Sequence, residues 1–139
     1  MRVWIVEDNV ADAVLIEMAL RRTGLQAEKR LMPDGESAIR AIRACQAGSI
    51  PLPDLLLLDL SLPGFDGIDV LRALRETPLF QDVAIVIFSS SPVIDAGFAV
   101  RRLLQKPSNL EQFLEEVSRT VLELVPAREK SHTAGPPVE

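Results

Sequence analysis

Five side chains in this sequence stand where chemistry is possible. Glu7 and Asp8 follow Val3-Trp4-Ile5-Val6, and Asp59 follows Leu55-Leu56-Leu57-Leu58. Ser89 closes the apolar run from Val83 to Phe88, and Lys106 comes just after Leu103 and Leu104, held by Pro107. A carboxylate at the end of so apolar a run is costly unless something pairs with it. Three carboxylates brought together repel one another and raise each other's pKa unless a cation is present. An oxygen-only cluster with few ligands suits Mg²⁺, which keeps several waters and accepts phosphate oxygens; Mn²⁺ is the natural substitute. Lys106 adds a mobile positive charge and the Ser89 hydroxyl a hydrogen-bond donor. Together they make a site for a phosphoryl group, with Asp59 as the nucleophile.

Such a site requires several strands to end at one edge of a sheet. The four leucines before Asp59 form a short, unbroken apolar run, followed by the turn Pro63-Gly64, as expected of a strand buried on both faces of a parallel sheet. Asp59 then lies at the carboxyl end of the strand, where open α/β sheets bind ligands. Asn9 is a good N-cap for a first helix, in which Ala11, Val14, Leu15 and Met18 recur at helical spacing before Gly24. Ala27 to Leu31 reads as a strand with charged residues in it, hence an edge. Asp34-Gly35 opens a second helix with Ala38, Ile39, Ile42 and Cys45 on one face, and Ile68, Val70, Leu71 and Leu74 mark a third, closed by Pro78. Pro92 to Gln105 has room for a short helix and a short strand through Leu103 and Leu104. Ser108-Asn109-Leu110-Glu111 is a capping box for a last helix, whose stripe is Leu110, Phe113, Leu114, Val117, Val121 and Leu124. Strand and helix alternate about five times. The expected fold is α/β, a doubly wound five-stranded parallel sheet of flavodoxin-like type with helices on both faces and a short fourth helix.

At 139 residues the chain suits one domain, read as residues 1–125 followed by a flexible tail over 126–139. A net charge of -5 argues against nucleic acid as the direct partner. One cysteine excludes an internal disulfide and offers no metal-binding spacing. The amino end meets acids after four apolar residues, unlike a signal peptide, and no apolar run approaches membrane-spanning length, so a cytoplasmic protein is expected.

Ile5-Val6-Glu7-Asp8-Asn9, then Leu57-Leu58-Asp59-Leu60 with Leu62-Pro63-Gly64-Phe65-Asp66-Gly67, then Ser89, then Lys106-Pro107 resemble the receiver domain of two-component response regulators. The resemblance runs from Met1 to about Val125. It implies that Glu7 and Asp8 hold Mg²⁺ directly or through water. Asp59 would be both phosphoacceptor and metal ligand, and the Ser61 backbone carbonyl would complete the metal's protein shell. Lys106 would pair with Asp59 and later with its phosphate, and Ser89 would swing towards the phosphoryl oxygens. The donor would be a phosphohistidine on a sensor histidine kinase, the product a labile acyl phosphate, and the signal would pass to a downstream protein. The Ile-Val-Glu-Asp-Asn opening, the triple serine and the long last helix are further similar to stand-alone regulators paired with bacterial phytochromes. That implies a red-light kinase and a homodimer through the last strand and last helix.

Two departures bear on switching. Leu103 stands where receivers usually carry an aromatic residue, and the interval from Ser89 to Lys106 is short by about one helical turn. Output is therefore expected through the last strand, the last helix and the tail. Cys45 and Trp4 read as core, His132 as a solvated tail residue, and Leu122 and Val125, off the helix stripe, as partner surface. An unphosphorylated pseudo-receiver acting as an interaction module is the alternative, although it would typically have lost an acid or the lysine, and all are present. A nucleotide- or flavin-binding domain would need a Gly-rich loop where Glu7-Asp8-Asn9 stands. A small hydrolase would want an acid at Ser61.

Overall fold

The computed structural model describes residues 1–60, 67–89, 102–105 and 109–124, with Ser89 and residues 102–105 described by their backbone alone. The elements are β1 (Arg2–Val6), α1 (Val10–Arg22), β2 (Glu28–Met32), α2 (Gly35–Gln46), β3 (Leu55–Asp59), α3 (Gly67–Arg75), a 3₁₀ turn (Pro78–Phe80), β4 (Ala84–Ser89), β5 (Arg102–Gln105) and α4 (Leu110–Leu124). The strands form one parallel sheet in the order β2-β1-β3-β4-β5.

The leucine run explains the centre of this sheet. Side chains alternate across a strand, so Leu56 and Leu58 join one core and Leu55 and Leu57 the other. The first core is built with Ile42 and Cys45 of α2 and Val70, Leu71 and Leu74 of α3; the second with Ile16 and Ala19 of α1 and Leu114, Val117 and Val121 of α4. Each leucine is at most 3% exposed, and full burial of such a side chain is worth about 2 kcal/mol. Trp4 packs on Phe80 with ring centroids 5.6 Å apart, and Phe88 on Phe113 at 6.0 Å. The doubly wound parallel sheet with helices on both faces is as expected. The expected short fourth helix and flexible tail lie outside the described residues.

The edge reading of β2 holds, but its inward side chain is Met32, whereas Leu31 is half exposed. Helix α1 is a clearer correction. Its buried residues are Ala13, Ile16, Ala19 and Leu20, while Val14 and Met18 face out. The helix carries apolar residues on more than one side, and the alanines win the inner face because they allow close approach. The Ser118 hydroxyl of α4 lies 3.0 Å from the Ala19 carbonyl and 2.7 Å from that of Leu114, seating the two helices together. Leu110 is likewise exposed; the Asn109 Oδ1 accepts from the Gln112 N–H at 2.9 Å at the start of α4, and Ser108 of the expected capping box lies outside the described residues. Glu111, read as the other half of a capping box, accepts two hydrogen bonds from Arg22 at 2.6 and 3.2 Å. That guanidinium holds the Glu111 carboxyl below its ordinary pKa through the hydrogen bond and its charge.

Thr120 on α4 is 2% exposed, and its Oγ1 has no hydrogen-bond partner among the described residues. A buried hydroxyl left unpaired costs about 1–3 kcal/mol, and valine has nearly the same shape. Thr120→Val is therefore expected to raise stability by about 1 kcal/mol in denaturant melts; a loss of stability would mean that the hydroxyl is satisfied in solution.

Candidate functional site

The site stands where the winding of the sheet reverses. Helices leave β1 and β3 towards opposite faces, which opens a crevice at the carboxyl ends of those strands. Val6 is in register with Leu58, so the next residues, Glu7 and Asp59, come level on adjacent strands. Pairing continues past the formal strand ends: the Glu7 N–H donates to the Met32 carbonyl at 3.0 Å and the Leu60 N–H to the Phe88 carbonyl at 3.1 Å. Both acids thus sit on fixed backbone.

Glu7, Asp8 and Asp59 each bring a carboxylate oxygen to within 4.8 Å of the others. Glu7 and Asp59 are each 3% exposed, whereas Asp8 is exposed. The cluster lies at the edge of the core, with Asp8 as its exposed member. Three hard oxygen donors at this separation, two withdrawn from water, form a set suited to a divalent cation and poorly suited to standing uncompensated. The Asn9 N–H donates to Glu7 Oε2 at 3.2 Å, and Asn9 Oδ1 accepts from the Asp12 N–H at 3.0 Å, capping α1 as expected.

The sequence-predicted acids are therefore brought together. Ser61 and Lys106 lie outside the described residues. Ser89 is the last residue of β4, its backbone paired with Gln105 of β5, and Leu103 pairs with Ile87. Cys45 is buried as expected; burial pushes its thiol pKa up, and its Sγ lies 3.5 Å from the Pro51 carbonyl. Asp34, the N-cap of α2, is held below the ordinary carboxylate range by hydrogen bonding from Ser37.

The sequence reading missed an apolar stripe beside the site. Val10, Val14 and Met18, four residues apart on α1, are 78%, 46% and 37% exposed. The outward phase of α1 was the missing signal, and it follows from which side the alanines occupy. Leu122, expected to serve as partner surface, is half-buried and lines a groove with Arg22, Glu115, Ser118, Arg119 and Glu123.

Residues 3–118 match the response regulator receiver domain, and the chain belongs to that family. It is 32% identical over 127 residues to the probable methanogenesis regulatory protein FilR2 of Methanothrix harundinacea, covering 88% of this chain and 79% of that protein. It is 30% identical over 123 residues to response regulator Rcp1 of Synechocystis, covering 83% and 82%. The crystal structure of the Mn²⁺-bound form of Rcp1 superposes with a TM-score of 0.79 at 27% identity, over 91% of this chain and 99% of that one. The structure of the phosphorylated cyanobacterial phytochrome response regulator RcpA gives a TM-score of 0.80 at 30% identity, over 88% and 92%. The chain is a response regulator receiver, a phosphoacceptor signalling protein rather than a classical enzyme, homologous to regulators of phytochrome signalling. Among the described residues no helix is long and apolar enough to cross a membrane.

Proposed function

We propose that this chain takes a phosphoryl group onto Asp59 with Mg²⁺ as cofactor and passes the signal on by protein contact. The observation that carries this is the convergence of Glu7, Asp8 and Asp59 at one sheet edge. Glu7, Asp8 and Asp59 would hold the cation, with the Ser61 carbonyl as a further ligand. The bound cation supplies charge neutralisation to the transferring phosphoryl group. Asp59, fixed at the end of β3 beside Glu7 and Asp8, attacks in line. Lys106 pairs with the incoming phosphoryl oxygens, and the Ser89 hydroxyl donates to them afterwards. The resulting acyl phosphate is labile, so the chain also loses the group by hydrolysis.

The donor is a phosphohistidine of a sensor histidine kinase, and the likeness to RcpA supports a phytochrome in that role. The exposed stripe Val10, Val14 and Met18 begins just past Asp8 and gives such a partner apolar surface next to the acceptor. These steps take place in the cytoplasm. A homodimer through β5 and α4 is the accompanying reading, with Leu122 at its edge.

Incubation with Mg²⁺ and a small-molecule phosphodonor, followed by intact mass, tests the chemistry. A gain of about 80 Da, lost when the metal is chelated, is expected. No gain from a folded, metal-binding protein would leave the interaction-module reading in its place.

A further inference from the structure

We infer that Asn9 is a positioning residue for the cation site, acting through Glu7. The inference rests on the proposed function and deepens it. Strand β1 ends at Val6 and α1 starts at Val10, so three residues connect them, and two of these are acids of the cluster. A connection this short has little freedom to spare, and Asn9 ties both of its ends. On the helix side its Oδ1 accepts the Asp12 N–H at 3.0 Å while its carbonyl accepts the Ala13 N–H at 2.9 Å. These two bonds set its backbone in the extended conformation, φ -85° and ψ 116°. On the strand side that same conformation turns the Asn9 N–H back onto Glu7 Oε2 at 3.2 Å.

The consequence is chemical. Glu7 is 3% exposed, and a glutamate has three side-chain torsions by which its carboxylate could swing out of register. A main-chain N–H bound to one carboxylate oxygen orients the group within the cluster it shares with Asp8 and Asp59. Outer partners of this kind orient metal ligands, and their loss costs on the order of tenfold or more in metal affinity. The side chain of Asn9 touches none of the acids in this scheme; it fixes the peptide that does. Any side chain able to cap the helix should serve.

The test is Mn²⁺ titration calorimetry on the full chain, comparing wild type, Asn9→Ala, Asn9→Ser and Asn109→Ala. Serine caps helices as well as asparagine does, whereas alanine does not. Asn109→Ala removes a cap of the same type from α4, bound to Gln112 at 2.9 Å, and controls for general loosening of the fold. Asn9→Ala is expected to weaken Mn²⁺ binding on the order of tenfold. Asn9→Ser and Asn109→Ala should stay within about twofold of wild type, since each keeps the Asn9 turn intact. Equal affinity in Asn9→Ala and wild type would overturn the inference, as would an equal loss in Asn109→Ala. A loss in Asn9→Ser as large as in Asn9→Ala would also overturn it, by showing that the amide acts other than as a cap. Absence of Mn²⁺ binding in wild type would instead overturn the cation site itself.

Discussion

Asp59→Asn is expected to keep the fold and to take up no phosphoryl group under conditions that load the wild type. The two side chains have almost the same shape, and at 3% exposure the packing around position 59 matters more than its hydration. The chemistry is not conserved. An amide is neutral and its nitrogen lone pair is delocalised into the carbonyl, so it is a poor nucleophile, and it gives a divalent cation a dipole in place of a full charge. Both effects act on the same step, so the loss should be complete by intact mass rather than partial. The signal is the absence of the gain of about 80 Da in the variant, with an unchanged circular dichroism spectrum. The result that would sink the assignment is an equal gain in the variant. The first alternative acceptor would then be Asp8, which is exposed and within reach in the same cluster, and Asp8→Asn in the Asp59→Asn background would decide it.

Much of this arrangement is legible in the residues themselves, for a physical reason. A run such as Leu55 to Leu58 can satisfy itself only between two layers of helix, and that demand fixes a central parallel strand and places Asp59 at its end. Glu7 follows by the same logic from Val3 to Val6. What could not be read was orientation where apolar residues surround an element. Helix α1 offers Val14 and Met18 on one side and Ala13, Ile16 and Ala19 on another, and only contact with the sheet and with Ser118 of α4 selects between them. Leu31 and Met32 present the same ambiguity at an edge strand, where one side chain goes in and its neighbour out. Glu111 shows a third limit: its local spacing gave no sign that a long-range partner, Arg22, would hold its carboxylate. Pairings between residues far apart in sequence leave no trace in local spacing. The three acids are the exception, because each is tied to a strand end and the sheet collects the ends.

Gly67 is where backbone packing and the site meet, and Gly67→Ala is expected to lower stability by about 3 kcal/mol. Intrinsic propensity predicts the opposite sign, since alanine exceeds glycine by about 1 kcal/mol inside a helix and Gly67 is the first residue of α3. Close approach outweighs it. A Cβ built on Gly67 falls well inside contact distance of the Leu60 Cα and lies 3.0 Å from the Asp59 carbonyl oxygen, so it meets backbone that no rotamer change can move aside. The same approach is sealed by the Gly67 N–H donating to the Leu60 carbonyl at 2.8 Å. Relief therefore requires the start of α3 to back away from the end of β3, which loosens Val70 and Leu71 in the core and moves the residue next to Asp59. For a chain of this size the loss corresponds to a fall in Tm of roughly 10 °C, read by thermal melts. Phosphoryl uptake from a small donor should slow in the same variant at temperatures where it remains folded, because Asp59, the proposed acceptor, is carried on the displaced joint. A variant as stable as wild type would show that the joint yields freely. A stable variant with unchanged uptake would show further that Asp59 takes its position from β3 alone, without the support of α3.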